Sequence, residues 1–256
     1  MAKAKRARPK STKIARRTTA RRSARKPVRR AVRSSKPLHG VEFPNESVKY
    51  RAKRNELLRA EMDLRTHVER VAALRRKLPL GGEVREDYLF EGADGPVKLS
   101  ELFGKHDTLV LYNFMYGPRM KEACPMCTAM LDSLDGAAEH LGQRVGVAVV
   151  AKSPIERIQN FARERGWDQM RLVSSADNSF NRDYQGETAN GDQMPMLHVF
   201  TRRNGKIHHF WGSEMLFPSA MRRQNSRHID MIWPLWNVLD LVPDGRGSDW
   251  IPRLSY

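Results

Sequence analysis

The only two cysteines of the chain are three positions apart, in a Cys-Pro-Met-Cys segment at residues 124–127. A C-x-x-C pair that opens a helix places its first sulfur, here that of Cys124, beside unpaired backbone N–H groups at the positive end of the helix dipole. These groups stabilise a thiolate, and Cys127 lies one turn later, within reach of a mixed disulfide formed on Cys124. The spacing therefore predicts thiol–disulfide exchange, with Cys124 as the nucleophile and Cys127 as the resolving cysteine.

Three other interpretations of the cysteine pair compete with this one. A structural zinc site normally has about four protein ligands, but there is no second C-x-x-C pair, and His208 and His209 would point to opposite faces of a predicted strand. We therefore predict no metal site and no organic cofactor. A peroxidatic cysteine normally ends a Pro-x-x-x-Thr-x-x-Cys motif, whereas Pro118 precedes Cys124 by six residues with no threonine between them. An inert, buried pair is the third alternative, because buried cysteine is common.

The charge of the chain is concentrated in its first 40 residues. This segment holds 16 Lys or Arg and no acidic residue, which leaves 30 basic and 29 acidic residues for the rest of the chain. Such a segment repels itself and has little to bury, so we predict that residues 1–40 form a disordered basic tail. Weak, non-specific binding of nucleic acid or of a membrane surface is one expected property of this tail. A solubilising extension without a ligand is the alternative.

The composition also bears on the compartment. No apolar run reaches the roughly 18 residues that span a bilayer, and no apolar stretch follows the basic start as in a secretory or twin-arginine signal. The Arg- and Ser-rich start fits a mitochondrial transit peptide in composition, but its apolar residues are too sparse for a helical face. Two cysteines do not make the disulfide framework of a secreted protein. We therefore expect a cytoplasmic protein without a membrane span.

Residues 41–80 show helical periodicity. Apolar residues recur at three- and four-residue steps between about Asn45 and Leu78, among many charged residues, with Pro44 before the pattern and Pro79 after it. We predict one long amphipathic helix here. Its narrow apolar stripe packs either on its own domain or against a second subunit, so a homodimer is one expected assembly.

Residues 81–256 show the pattern of one α/β domain. A hairpin is followed by strand, helix, strand and helix, which is typical of a parallel βαβ layer. After a polar stretch at 176–193 come an antiparallel hairpin with an Asn-Gly turn and a C-terminal helix. The predicted elements cover, in order, 88–90, 97–99, 100–103, 108–114, 128–141, 145–151, 153–166, 196–201, 207–211 and 226–240. This order is that of a thioredoxin-like fold: βαβ plus an antiparallel β-hairpin with flanking helices, preceded by the long helix and the basic tail.

Met194 and Pro195 stand immediately before the first strand of the C-terminal hairpin. Proline is tolerated at the start of a strand because it need not donate to the ladder. In thioredoxin-like folds a proline at this position lies beside the redox cysteines and presents backbone to a substrate, so we expect Met194 and Pro195 to bind substrate. Residues 115–123 separate the preceding strand from Cys124, unlike in ordinary thioredoxins. This loop either shields the pair or carries a substrate-facing surface through Tyr116.

Several short motifs are spread over the globular part of the chain. They are Leu78-Pro79, Asp87-Tyr88-Leu89-Phe90-Glu91-Gly92, Tyr112-Asn113-Phe114-Met115-Tyr116-Gly117-Pro118, the Cys-Pro-Met-Cys segment, Gly166-Trp167, Val173-Ser174-Ser175 and Leu239-Asp240-Leu241-Val242-Pro243-Asp244-Gly245-Arg246. With these motifs, residues from about 40 to 256 resemble the bacterial thioredoxin-like family labelled domain of unknown function 899. The resemblance implies a dithiol–disulfide oxidoreductase with unassigned substrates, in which Cys124 and Cys127 fall on the family's two cysteines. The basic tail is not part of the family pattern.

Two functions from different classes follow. The first is a thiol–disulfide oxidoreductase that acts on a disulfide or thiol of a protein or small-molecule partner through Cys124 and Cys127. The second is a redox-inert, thioredoxin-like scaffold that associates with nucleic acid through residues 1–40.

Overall fold

The structure, a computed structural model, describes residues 38–218, 229–245, 247 and 250–255. Nearly all of the predicted basic tail lies outside the described residues, so its disorder and its binding of nucleic acid stay predictions. The described residues fall into two compact units, one up to Arg65 and one from Thr66 onward. The domain limits predicted at residues 40 and 80 also stay predictions.

The long N-terminal helix is present as α1, Val48–Arg76. The hydroxyl of Ser47 accepts a hydrogen bond from the backbone N–H of Tyr50 at 3.1 Å, which satisfies one of the free donors at the start of the helix. No residue of α1 is buried, and the apolar side chains Leu57 and Leu64 are exposed. Pairing of this helix with a second subunit stays a prediction.

The remaining elements lie in the second unit. Its strands are β1 (Leu89–Gly92), β2 (Gly95–Lys98), β3 (Thr108–Phe114), β4 (Gly146–Ala151), β5 (Arg171–Ser174), β6 (Met196–Arg203) and β7 (Lys206–Gly212). Its helices are α2 (Leu99–Leu102), α3 (Pro125–Gly142), α4 (Ile155–Arg165), α5 (Phe180–Asp183) and α6 (Pro234–Leu239), with a 3-10 turn at Asp230–Ile232. Among the described residues, no helix is both long and apolar enough to cross a membrane.

The strands form one mixed sheet in the order β2-β1-β5-β4-β3-β6-β7. β3, β4 and β5 run parallel, and β6 and β7 add an antiparallel hairpin next to β3. α3 connects β3 to β4, and α4 connects β4 to β5, as parallel neighbours require. The predicted βαβ unit and C-terminal hairpin are therefore confirmed, and the fold is thioredoxin-like.

β3 contributes alternate side chains to two hydrophobic clusters, one on each face of the sheet. Leu109 and Leu111 belong to the cluster that includes the first hairpin, whereas Tyr112 and Phe114 belong to the cluster formed with α3 and α4. Successive side chains of a strand point to opposite faces, so a strand covered on both sides requires a nearly continuous apolar run. The sequence has such a run at 108–114, which is why the strand was predictable there.

The C-terminal helix differs from the prediction. One helix was expected over 226–240, but residues 219–228 lie outside the described part, and a 3-10 turn precedes the short α6. Pro234 explains the break, because a proline ring disfavours helical backbone in the residue before it. Trp233 is accordingly extended, with φ −115° and ψ 90°, and α6 begins at the proline.

Candidate dithiol site

Cys124 is the residue that caps the start of α3. Its backbone is extended, with φ −63° and ψ 119°, and Pro125 is the first residue of the helix. The backbone N–H of Cys127 donates to Cys124 Sγ at 3.4 Å, and the N–H and hydroxyl of Thr128 both donate to the Cys124 carbonyl at 2.9 Å. The structure therefore places the C-x-x-C segment at a helix N-terminus, as the sequence predicted.

The thiol of Cys124 is set up to ionise. A hydrogen bond from the Cys127 thiol and further bonds from the backbone N–H groups of Cys127 and Met126 lower the pKa of Cys124 to about 7, although partial burial acts in the opposite direction. Both cysteines are free thiols in this structure, and Cys124 is only partly buried. A thiolate on Cys124 is thus stabilised at neutral pH and lies where solvent reaches part of its residue.

Cys127 has the opposite environment. It is 3% exposed, in the cluster that contains Tyr112 and Met130. Burial, followed by its hydrogen bond to Cys124, raises the pKa of Cys127 well above its usual value, while hydrogen bonds from the Tyr112 hydroxyl and the Met115 N–H oppose that rise. The two thiols therefore differ in environment: Cys124 is partly exposed and has a lowered pKa, whereas Cys127 is buried and has a raised pKa.

The loop at 115–123, between β3 and Cys124, is held in place by Arg157 of α4. The guanidinium group donates to the backbone carbonyls of Gly117, Met120 and Lys121, the first and last of these at 3.1 Å. The planar guanidinium group has several N–H donors in a fixed arrangement and can bond to all of these carbonyls. A lysine ammonium group lacks this arrangement. Sequence reasoning missed Arg157, because an arginine on the polar side of an amphipathic helix carries no distinctive signal.

Tyr116 lies within this loop. Its ring is buried, packs against Phe114 and Phe161 with ring centroids 5.7 and 5.4 Å away, and lies 4.2 Å from the guanidinium carbon of Arg157. The ring of Tyr116 therefore packs inward, on side chains of β3 and α4. A substrate-facing role for Tyr116 stays a prediction.

Met194 and Pro195 lie at the end of the sheet where β3 runs into the loop. Met196, the first residue of β6, pairs with Asn113 of β3, and the side-chain amide of Asn113 donates to the Met194 carbonyl at 2.7 Å and to the Gly186 carbonyl at 3.2 Å. The N–H of Cys124 donates to the carbonyl of residue 115, directly after β3, at 3.2 Å. The fold thus brings the Met-Pro segment and the cysteines to the same end of β3, and Asn113 positions that segment. Sequence reasoning missed this role of Asn113.

A second segment, residues 186–193, faces the loop at 115–123. Arg119 donates to the Asn190 carbonyl at 2.8 Å, and its guanidinium group lies 3.9 Å from the carboxylate of Asp192. A cleft of about 770 Å³ lies between the two segments. Among the described residues, no group of three or more His, Cys, Asp or Glu is arranged to hold a metal ion.

Replacing Asn113 with alanine should lower the free energy of unfolding by about 2–3 kcal/mol, because two carbonyls near the buried amide lose their donor and a small cavity remains. Urea denaturation of the two proteins measures this difference. Ser133→Ala is the matched control: its hydroxyl donates only to the Ala129 carbonyl within α3, and we expect a change below about 0.5 kcal/mol. Equal stabilities of the two variants would contradict a positioning role for Asn113.

Solved structures similar to this chain share little sequence with it. Peroxidoxin BcpB from Mycobacterium tuberculosis is 17% identical, with a TM-score of 0.42 and coverage of 63% of this chain and 98% of that chain. A mutant of peroxiredoxin Q from Xanthomonas campestris is 16% identical, with a TM-score of 0.41 and coverage of 63% and 97%. The exposed lipoprotein thioredoxin from Streptococcus pneumoniae is 16% identical, with a TM-score of 0.37 and coverage of 59% and 99%. The thioredoxin-like fold of this chain rests on its own strand order and pairing.

No curated protein sequence matches this chain. A family model matches residues 41–256 of the chain, which include the helix α1, the sheet and both cysteines. The chain therefore belongs to the family described as "Bacterial protein of unknown function (DUF899)".

Proposed function

We propose that this protein is a thiol–disulfide oxidoreductase whose redox pair is Cys124 and Cys127. The observation that carries the proposal is the asymmetry of the pair at the start of α3: a partly exposed Cys124 with its pKa lowered to about 7, bonded to a buried, protonated Cys127. Thiol–disulfide exchange needs this difference between the two cysteines, because one sulfur must attack as a thiolate while the other is still a protonated thiol. An inert core pair has no need of a stabilised thiolate.

The proposed reaction has two steps. The Cys124 thiolate attacks one sulfur of a substrate disulfide; the substrate S–S bond breaks, a mixed disulfide forms, and the other substrate sulfur leaves as a thiolate. Cys127 then loses its proton to that leaving thiolate and attacks Cys124 Sγ, which breaks the mixed disulfide and releases the second substrate thiolate, to be protonated by solvent. Two electrons pass from the protein to the substrate, and a dithiol such as dithiothreitol returns the protein to its reduced form.

Met194 and Pro195 are the proposed substrate contacts. Both are partly exposed, directly before β6, and the Met194 carbonyl is held by the Asn113 amide at 2.7 Å. The backbone of this segment is therefore in a defined position for a substrate that reaches Cys124. The alternative of a redox-inert scaffold depends on residues 1–40, and no contact of the described residues favours it.

The rate at which reduced Cys124 is alkylated by iodoacetamide should reach half of its plateau near pH 7, because its pKa is lowered to about 7. The alkylation rate rises as the pH increases through the pKa, because the thiolate is the reactive form. Below the pKa the thiol is protonated and reacts slowly. At pH 6 the thiolate fraction of Cys124 exceeds that of an ordinary thiol by about two orders of magnitude. A thiolate of lower pKa is also a weaker nucleophile, so we expect Cys124 to be alkylated only about tenfold faster than an ordinary thiol.

Peptide mass spectrometry after timed alkylation measures the rate at each cysteine separately. The matched control is the same protein unfolded in urea, in which Cys124 has its ordinary pKa. A midpoint near pH 9, or equal rates in the folded and unfolded protein at pH 6, would remove the proposed nucleophile.

A further inference from the structure

A cavity of about 1210 Å³ lies against the C-terminal hairpin β6–β7. All of its described lining residues belong to the second unit of the chain. They come from the end of α1 and the segment after it, from the end of α5, from β6 and β7, and from the segment that follows β7. The described residues that line the cavity include neither cysteine. A cavity of this size has room for a molecule of several rings.

The wall of this cavity is mainly apolar and contains aromatic rings and methionines. Trp211 of β7 lines it, and the guanidinium carbon of Arg75 lies 5.3 Å from the centroid of the tryptophan ring. Met196 at the start of β6 is a buried part of the wall, whereas Met215 and Phe217 are more than half exposed. Aromatic rings and methionine sulfur both make favourable contacts with an aromatic ligand. The composition of the wall therefore favours an aromatic occupant.

Two histidines form a polar part of the same wall. Nδ1 of His198 and Nε2 of His209 are 3.1 Å apart, and the ring centroid of Tyr184 lies 5.5 Å from that of His209. Burial lowers the pKa of His209, although Glu214 acts in the opposite direction, so the ring is neutral at pH 7. Its other nitrogen, Nδ1, is a donor if Nε2 accepts from His198 and an acceptor if Nε2 donates. A hydroxyl group can bond to Nδ1 in either case, because it both donates and accepts.

The charged groups around the cavity disfavour an anion. The carboxylates of Glu83, Asp183 and Glu214 line it, whereas Arg75 is the one guanidinium among the described lining residues. Lys206 pairs with Glu83 at 2.8 Å, and the carboxylates still outnumber these two cations. A negatively charged ligand would therefore meet like charge. Burial of any charge against the apolar wall is also costly, which favours a neutral ligand.

We propose that this cavity is a binding site for a neutral aromatic molecule of several rings that carries a hydroxyl group, that is, a polycyclic phenol. Its rings pack against Trp211 and Tyr184, and its hydroxyl group bonds to the imidazole of His209. Binding is non-covalent. The site goes beyond the proposed exchange function and does not depend on it, because neither cysteine takes part.

Three related probes test the class of ligand by isothermal titration calorimetry of the reduced, full-length chain at pH 7. 2-Naphthol has two aromatic rings and a hydroxyl group, naphthalene lacks the hydroxyl group, and 6-hydroxynaphthalene-2-sulfonate adds a negative charge. We expect saturable binding of 2-naphthol with a Kd of about 0.1 mM or below, a modest affinity for a ligand of this size. Naphthalene should bind about fivefold more weakly, the size expected for the loss of one hydrogen bond. The sulfonate should bind at least about tenfold more weakly than 2-naphthol.

Two variants test the position of the ligand. His209→Phe keeps a ring and removes the polar nitrogen, so the Kd of 2-naphthol should rise about fivefold while that of naphthalene stays within about twofold. A change of cavity shape alone would affect both probes equally. Leu74→Asp places a charge in the apolar wall at a residue that is 59% exposed, so this variant should fold and bind both probes at least about fivefold more weakly. Leu64→Asp is the matched control: Leu64 lies on the same helix and is 61% exposed, but it is not among the described residues that line the cavity.

Several results would overturn the proposal. Absence of 2-naphthol binding at millimolar concentration would remove the site, and equal affinity for 2-naphthol and naphthalene would remove the bond from the hydroxyl group. Tighter binding of the sulfonate than of 2-naphthol would show that the site takes anions. Equal affinities of Leu74→Asp and Leu64→Asp for the probes would place the bound probe elsewhere, and Leu74→Asp decides the position if His209→Phe does not fold.

Discussion

Replacing Cys124 with serine should abolish catalysed disulfide reduction, with a loss of roughly 10³-fold or more in kcat/KM. Cys124 is the partly exposed cysteine and has a pKa lowered to about 7, whereas Cys127 is buried with its pKa raised, so Cys127 cannot take over the attack. Serine is itself a preferred residue at the start of a helix. The variant should therefore fold normally, and its loss of activity should be chemical. Reduction of insulin disulfides by dithiothreitol, followed by turbidity, measures the activity.

Cys127→Ser is the matched control for this experiment. It keeps the nucleophile and removes the resolving thiol, so the reaction should stop at one mixed disulfide per chain, visible as one adduct by intact-protein mass spectrometry. Cys124→Ser should form no such adduct at the same reagent concentration. The assignment of roles would be reversed if the adduct formed on Cys124→Ser and not on Cys127→Ser.

Replacing Arg157 with alanine should lower the free energy of unfolding by about 3 kcal/mol, since several backbone carbonyls lose a charged donor and the Tyr116 ring loses its cation contact. The donor bonds reach Gly117, Met120 and Lys121, which all lie in the loop before Cys124. The loop should therefore loosen, and backbone hydrogen exchange at 117–123 should become faster by about tenfold or more. Urea denaturation and hydrogen–deuterium exchange measure the two effects.

Two further variants define the reason for this effect. Arg163 is exposed on the same helix and bonds to the nearby Asn160 side chain; its change to alanine should cost less than about 0.5 kcal/mol. Arg157→Lys keeps the charge but not the fork of donors, so we expect it to recover less than half of the lost stability. Similar losses in Arg157→Ala and Arg163→Ala would show that the loop does not depend on Arg157.

The central strands of the fold are covered on both faces of the sheet, so their sequences are nearly continuous apolar runs. Such runs made these strands predictable from the sequence. The strand predicted at 108–114 is β3, Thr108–Phe114, and the expected end of α4 at Gly166 is confirmed by the left-handed backbone of that glycine, with φ 71°. The segments that sequence reasoning missed are short and have few apolar residues. β5 has four residues, two of them polar, and becomes a strand by pairing with β4, while α5 is a single turn in the polar stretch at 176–193.

The candidate site likewise has features that were predictable from the sequence and features that depend on tertiary packing. The spacing of Cys124 and Cys127 and the proline between them are local features, so the sequence alone determined that the pair opens a helix, and the order of elements placed Pro195 before the hairpin. The tertiary structure alone decided how deeply each sulfur is buried and which groups surround it. Asn113 and Arg157 donate to backbone carbonyls that are 36 to 81 residues away along the chain. Such contacts form only when packing brings distant segments together, and no periodicity or spacing along the sequence records them.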